Sequence, residues 1–343
     1  MSEDQLKKVW NYLDENLRRG FIRPSKSSAE YSILFVLKKN GIKRLCVDYR
    51  QLNEITHWDS YPLPLIEELQ NQLGQAKWFT SLDLKEAYYQ VRMKKGEEWK
   101  TAFWTRYGHY EYTVMPFRLK NAPATFQRLI NDTLREYLDD FAITYLDDIL
   151  IYSDDLEAHR RHVQKVLEKL REKVLYVKKS KSKFEIKEIE FLDYIIWPEQ
   201  IEKNLKKMNA VRNWPSSKKV KEVQAFLDLT NYYWKFVLNY TRIAEPLTRL
   251  THKNERWHWD KKQKNVFCAL KESLSETAHL RIPNSACEKI LETDALNFAV
   301  EACLYQIENR QQRPIAYQSR KLSEPEERYE VHDKELLAIV KAL

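Results

Sequence analysis

Glycine is scarce in this chain of 343 residues. There are 5, at positions 20, 41, 74, 96 and 108, so the 235 residues that follow position 108 contain none. Average usage of about 7% gives roughly 24 in a chain this long, about 16 of them in the glycine-free stretch. A mixed fold needs positive-φ turns and close backbone approaches, which glycine supplies at least steric cost; glycines have been removed from this sequence. Cysteine is also rare. Cys46, Cys268, Cys287 and Cys303 are far apart, with no Cys-x-x-Cys spacing and no nearby histidine pair. That excludes a zinc or disulfide framework and fits a reducing compartment. No run of eighteen apolar residues occurs, and Met1–Trp10 has no apolar signal-peptide core. Membrane spanning and classical secretion are therefore not expected, and an intracellular address, cytoplasmic or nuclear, is. Internal repeats and low-complexity linkers are lacking too.

What is present is a core. Apolar residues make up 43% of the chain, with 20 Tyr, 13 Phe and 10 Trp among them, which excludes wholesale disorder. The length predicts two or three domains. Net charge is +8, and residues 159–187 alone hold eleven Lys/Arg against three Glu. Such a stretch suits a polyanion partner such as nucleic acid, or is a solvated helix face.

Periodicity predicts a helix over 4–19. Two β-type runs, Ser32–Leu37 and Arg44–Asp48, are joined by Lys39-Asn-Gly41, a hairpin signal. After Tyr61-Pro-Leu-Pro64 come a short helix at 65–73, strands Trp78–Leu84 and Tyr88–Met93, and a second hairpin from Thr101–Trp104 and Tyr110–Val114. A helix is expected over 122–139. Two apolar runs then hinge on an aspartate pair within Ile143–Tyr152, and Ser153 is placed to cap the helix that follows. Beyond residue 200 helices dominate, with strands returning at Lys289–Thr293, Phe298–Leu304 and Arg313–Ser319 before a closing helix over 324–343.

Asp147 and Asp148, adjacent carboxylates at the tip of an apolar hairpin, are either plain turn chemistry or a pair that a divalent cation neutralises. Asp83 likewise ends an apolar strand, 64 residues upstream. Three carboxylates on neighbouring strands would hold two metal ions about 4 Å apart, the arrangement that activates a hydroxyl nucleophile and stabilises a leaving pyrophosphate. Spacing alone does not make the strands neighbours.

These residues have a recognisable setting. Tyr145-Leu-Asp-Asp148 resembles the Y-x-D-D motif of reverse transcriptases. Leu82-Asp-Leu84 resembles their first metal motif, and Met115-Pro-Phe-Arg-Leu-Lys-Asn-Ala-Pro-Ala-Thr-Phe-Gln127 the motif between the two. Arg44-Leu-Cys-Val-Asp-Tyr-Arg50, Tyr61-Pro-Leu-Pro64, Lys100-Thr-Ala-Phe103 and Arg106-Tyr-Gly-His109 match in order. Together they resemble the polymerase of a gypsy-class long-terminal-repeat retrotransposon. The resemblance implies an α+β right-hand polymerase with fingers, palm and thumb, then a connection and a truncated ribonuclease H-like α/β domain. The implied divisions are a lead-in at 1–30, fingers and palm at 31–200, thumb and connection at 201–256, and the ribonuclease H-like part at 257–343.

It also implies roles. Asp83, Asp147 and Asp148 would be the catalytic, metal-holding carboxylates for Mg²⁺ (or Mn²⁺), assisted by the Leu84 carbonyl. Lys39 and Arg44 would meet the incoming triphosphate. Tyr88 would exclude a ribose 2′-hydroxyl, unless it is a core aromatic of a Tyr-Tyr-x-Val strand, and Phe117 would also be nucleotide-binding. Phe191, Leu192 and Asp193 match the primer grip. Partners would be an RNA or DNA template with its primer, and dNTPs. Asp294 and Glu335 would be two of the four ribonuclease H acids; the other two belong to segments beyond Leu343, so that activity is expected to be absent from this chain. The alternative, from a different class, is a non-catalytic nucleic-acid-binding remnant. An intron-encoded or telomeric enzyme does not fit a ribonuclease H-like segment that follows directly.

The chain departs from the family where the family has glycine. Arg118, Asp193, Asp228 and Glu301 stand at four such positions, and Leu296 stands where a serine adjoins the metal acid. Each change is reachable by a single G-to-A or C-to-T transition, the pattern that directional mutation of a repeated element leaves. The coding DNA tests this: G+C content in codons 109–343 is expected to fall below that of codons 1–108, and equality would overturn the reading.

Overall fold

The computed structural model describes residues 1–37, 43–74, 76–253, 255–275, 279–284 and 286–343. The chain divides into two compact units, Met1–Leu65 with Phe79–Glu185, and Ile66–Trp78 with Ile186–Leu343.

In the first unit, α1 (Glu3–Arg18) begins with a capping box: the Ser2 hydroxyl accepts from the Gln5 amide while the Gln5 side chain accepts from the Ser2 amide, so two of the free N–H groups of the first turn are satisfied. Next come β1 (Ile22–Pro24) and the hairpin β2 (Ile33–Leu37) and β3 (Lys43–Val47), paired from Ile33 with Val47 to Leu37 with Lys43. Its turn, with Lys39, lies outside the described residues. After α2 (Arg50–Ile55) the chain enters the second unit for α3 (Ile66–Asn71) and returns along β4 (Trp78–Asp83). β5 (Phe103–Thr105) and β6 (Gly108–Tyr112) form the second predicted hairpin, joined by β1 in the order β1-β6-β5. α4 (Ala122–Leu134) starts with a proline in its first turn, where a missing N–H is harmless. It ends earlier than the predicted 139, because the amides of Tyr137 and Leu138 both turn back onto the Leu134 carbonyl. β7 (Ala142–Tyr145), β8 (Asp148–Ser153), α5 (Leu156–Glu172) and β9 (Lys183–Ile186) follow, giving a sheet in the order β7-β8-β4-β9.

Beneath this sheet lies a core of Leu82, Phe126, Ile130, Ile149, Ile151 and Val166, each fully buried aliphatic or aromatic side chain contributing roughly 1.5–3 kcal/mol. A second core, around Val9, Leu13, Ile22, Val47 and Phe103, joins α1 to the β1-β6-β5 and β2-β3 strands.

Two local expectations are corrected. The stretch predicted as strand Tyr88–Met93 is a 3-10 turn over Ala87–Gln90, followed by an isolated bridge from Arg92 to Val114. Glu86, left-handed at φ 50°, turns the chain out of β4's line before a strand can restart. Ser153 is not the cap of α5. Asp155 is, accepting from the Ala158 amide at 2.9 Å, while the Ser153 hydroxyl is buried against Nδ1 of His159 and of His162 at 3.0 and 2.8 Å.

The second unit holds β10 (Ile189–Phe191), β11 (Tyr194–Trp197) and β12 (Gln200–Lys203), then α6 (Leu205–Arg212), α7 (Val220–Tyr232), α8 (Tyr240–Arg249) and α9 (Lys261–Ser275), with β13 (Leu280–Arg281) completing a sheet in chain order from β10 to β13. β14 (Lys289–Ala295), β15 (Ala299–Glu308) and β16 (Gln311–Lys321) form an antiparallel meander, and α10 (Val331–Ala342) packs Ala338 on Val300 and Leu322. Among the described residues no helix is long and apolar enough to cross a membrane.

Candidate active site

β4, β7 and β8 are neighbours in one sheet, and this brings Asp83 to the aspartate pair. The Leu84 amide donates to the Asp147 carbonyl at 3.3 Å, tying the end of β4 to the hairpin turn. β7 and β8 pair through Tyr145 and Asp148, with Leu146 left-handed at φ 53° between them, a strained position of the kind held only where the surroundings over-determine it. Here the surroundings are Gln127 of α4. Fully buried, it accepts from the Leu146 amide at 2.7 Å and donates to Asn131 at 2.8 Å and to the Thr144 hydroxyl at 3.2 Å. Gln127 is a positioning residue, and its place as the last residue of the quoted motif was the only signal of it in the sequence.

Asp147 is exposed; Asp83 and Asp148 are half-buried. Burial first, then the charges of Asp147 and Asp83, push the Asp148 carboxyl up to about 6. Lys181, on the segment before β9, places Nζ 2.7 Å from Asp83 Oδ2. Among the described residues no three acids, histidines or cysteines stand close enough to hold a metal ion as they are. The donor chemistry nevertheless fits one: three hard oxygen ligands, one of them resisting ionisation beside two others, with a lysine ammonium as the local counter-charge.

Asp83 and Asp147 line a cleft of ≈ 480 Å³ together with Arg44, Tyr88, Tyr89 and Lys181. The Arg44 guanidinium lies over the Phe117 ring, 4.8 Å from its centroid, a cation–π contact that fixes a long side chain without spending its charge on a carboxylate. Tyr88 meets Phe117 edge-to-face at 5.1 Å and Phe126 at 5.7 Å. It thus packs against core aromatics while also walling the cleft, from a 3-10 turn and not from the strand expected for it.

In the second unit Phe191 pairs with Tyr194 across a turn made by Leu192 and Asp193, left-handed at φ 48° and 65°. Such two-residue turns want glycine at the second position. Two side chains the sequence did not single out hold it: Tyr232 donates to the Leu192 carbonyl at 2.7 Å, and Tyr233 to that of Asp193 at 3.2 Å. The Asp193 carboxylate is ion-paired with Lys207, so its charge does not stand alone. Asp294 and Glu335 lie exposed on β14 and α10, and the strand partner of Asp294 is Glu301. Glu301 is 4% exposed, and its Oε2 has no hydrogen-bond partner.

The family model for "Reverse transcriptase (RNA-dependent DNA polymerase)" matches residues 36–196, and that for "RNase H-like domain found in reverse transcriptase" matches residues 259–343. The chain is 40% identical over 351 residues to the retrovirus-related Pol polyprotein from transposon opus of Drosophila melanogaster, covering 98% of this chain and 35% of the relative. It is 37% identical over 332 residues to the transposon Tf2-3 polyprotein of Schizosaccharomyces pombe, covering 96% and 25%. The chain thus spans about a third or less of the length of the curated relatives it matches. Among solved structures, the foamy viral protease-reverse transcriptase dRH in complex with double-stranded DNA has a TM-score of 0.87 at 23% identity, over 97% of this chain and 59% of that one. The foamy viral protease-reverse transcriptase in complex with an RNA/DNA hybrid has 0.82 at 22%, over 100% and 46%.

Proposed function

The chain belongs to the reverse transcriptase family of long-terminal-repeat retrotransposon polyproteins, and we propose that it extends a primer on an RNA or DNA template by two-metal nucleotidyl transfer. The observation that carries this is the junction of Asp83 with the Asp147–Asp148 turn at the mouth of a cleft walled by Arg44 and Tyr88.

Asp83, Asp147 and Asp148, with the Leu84 carbonyl, are the groups that would hold Mg²⁺ or Mn²⁺, whose charge activates a primer 3′-hydroxyl and stabilises the leaving pyrophosphate. Gln127 fixes the turn that presents two of those carboxylates. Lys181 keeps the Asp83 charge compensated and would give it up to a bound cation. Arg44, braced on Phe117, offers its guanidinium to a triphosphate, where positive charge stabilises the transferring phosphoryl group. Tyr88 excludes a 2′-hydroxyl by shape. The cations of 159–187 favour a polyanion backbone, which predicts salt-sensitive affinity without sequence preference. The foamy viral structures of like fold, which hold duplex DNA or an RNA/DNA hybrid, support the same class of partner.

A second reading rests on Arg118 at φ 75° and Asp193 at φ 65°: a fold that keeps its nucleic-acid groove and has lost catalysis. Primer extension on poly(rA)/oligo(dT) with Mg²⁺ or Mn²⁺, beside an Asp147→Asn/Asp148→Asn control, separates the two. Incorporation that the control abolishes is the expected result; tight template–primer binding without incorporation would establish the remnant.

A further inference from the structure

α1 reaches the nucleotide cleft. Tyr12 lines it, and its hydroxyl lies 3.0 Å from that of Tyr89 and 2.6 Å from that of Tyr112. The three phenols satisfy one another: Tyr112 is buried and the other two are half-buried, so a hydroxyl removed at Tyr12 leaves both partners short of a hydrogen bond. At the C-cap of the same helix, Arg19 forks onto both carboxylate oxygens of Glu86, at 3.1 Å from Oε1. Its guanidinium also lies 4.1 Å from the centroid of Phe21, which meets Tyr89 edge-to-face at 5.4 Å.

Both attachments converge on one short segment. Glu86 is the left-handed residue that opens the 3-10 turn Ala87–Gln90, and Tyr89 lies within that turn, next to Tyr88. Tyr88 and Tyr89 both pack edge-to-face on Phe117, at 5.1 and 5.4 Å. Nothing in a four-residue turn that follows a strained residue holds Tyr88 in place by itself. Its ring rests on Phe117 and Phe126, while the residues flanking it are gripped by the N-terminal helix through Tyr12 and Arg19.

We infer that Tyr12 and Arg19 are positioning residues for the sugar pocket, which through Tyr89 and Glu86 hold the turn bearing Tyr88 and so set discrimination between deoxyribo- and ribonucleotides. This rests on the reading of Tyr88 as the steric gate, and the test separates the two. The chain is bound to a template with a dideoxy-terminated primer, so that no turnover is needed, and the dissociation constants of the matching dNTP and rNTP are measured with Mg²⁺. Tyr88→Ala is expected to collapse their ratio. Tyr12→Phe and Arg19→Met are each expected to lower it by about tenfold, equivalent to roughly 1.4 kcal/mol, chiefly by tightening rNTP binding. Tyr12→Phe is expected to add nothing in the Tyr88→Ala background. A general loss of stability moves both nucleotides together and leaves the ratio unchanged. If the two helix variants leave the ratio within about twofold of the unaltered chain, the inference fails while the gate stands. If Tyr88→Ala leaves it unchanged, the gate fails and the inference with it. Failure of the unaltered chain to bind either nucleotide overturns both.

Discussion

Asp148→Asn is expected to abolish primer extension, by at least about a thousandfold, and at the same time to stabilise the metal-free fold. The two effects have one origin. Burial and the neighbouring Asp147 and Asp83 hold the Asp148 carboxyl at about 6 rather than 3.8, so at neutral pH the folded chain carries a charge it is poorly built to carry without a cation. Because the folded value lies above the unfolded one, the group's stabilising contribution is complete below pH 3.8 and is lost as pH rises through about 6. A full shift of one unit corresponds to about 1.36 kcal/mol. Discounted for solvent at a half-buried site, the gain in the Asn variant at pH 7.5 is expected to be about 1–2 kcal/mol. The difference should shrink towards pH 4, where the natural carboxyl is neutral too. Thermal melts with chelator across this range, beside extension assays, check both halves. Asp147→Asn, at an exposed position, is expected to lose activity equally but to gain little stability. An Asp148→Asn variant that melts at or below the natural chain at pH 7.5 would show that the site stores no such repulsion.

This conflict between charge and fold explains what was legible in the sequence. Apolar strands that end abruptly in acids cannot be accounted for by burial alone, so Asp83, Asp147 and Asp148 stood out before any neighbour was known. The hairpins were legible because their alternation matches the half-buried sheets that β2-β3 and β5-β6 form. What failed was local geometry decided at a distance. Tyr88–Met93 has strand-like residues, yet Glu86, gripped by Arg19, forces a turn. Ser153 sits where a cap belongs, but two histidines of α5 claim its hydroxyl and leave the cap to Asp155. Gln127, Tyr232, Tyr233 and Lys207 do their work by contacts with residues 14 to 40 positions away, and no spacing rule reports those. The glycine deficit, by contrast, pointed at real backbone demands: twelve non-glycine residues among those described take positive φ, eleven of them after position 108.

Those backbone angles make restoration of glycine a test with opposite signs at different sites. Arg118 and Asp193 sit at φ 75° and 65°, where a Cβ costs roughly 1–2 kcal/mol against glycine; after the greater chain entropy of glycine is subtracted, each change to Gly is expected to stabilise by about 0.5–1 kcal/mol. The gain at Asp193 is the smaller of the two, because its ion pair with Lys207 is given up. Asp228 lies exposed within the helix Val220–Tyr232, so Asp228→Gly is expected to destabilise by about 0.5–1 kcal/mol, although the family has glycine there too. Glu301 is a third kind of site. It lies in a strand, and a carboxylate with an unpartnered oxygen is more costly to bury than a strand glycine is to order, so Glu301→Gly is expected to stabilise by about 1–2 kcal/mol at neutral pH. That gain should fade in acid, because burial raises this carboxyl above 4.5 and the natural chain recovers stability as pH falls through the folded value. Activity follows a different order from stability. Arg118 lies one residue beyond Phe117 of the cleft that Asp83 and Asp147 line, and its carbonyl is held by Asn53 at 2.8 Å. The paired change Arg118→Gly/Asp193→Gly is expected to raise primer extension by tenfold or more, about 1.4 kcal/mol in the barrier, whereas Glu301→Gly raises melting temperature alone. Stabilisation by the pair without any gain in extension would show that lost turns cost the chain its stability and that its catalysis was limited elsewhere.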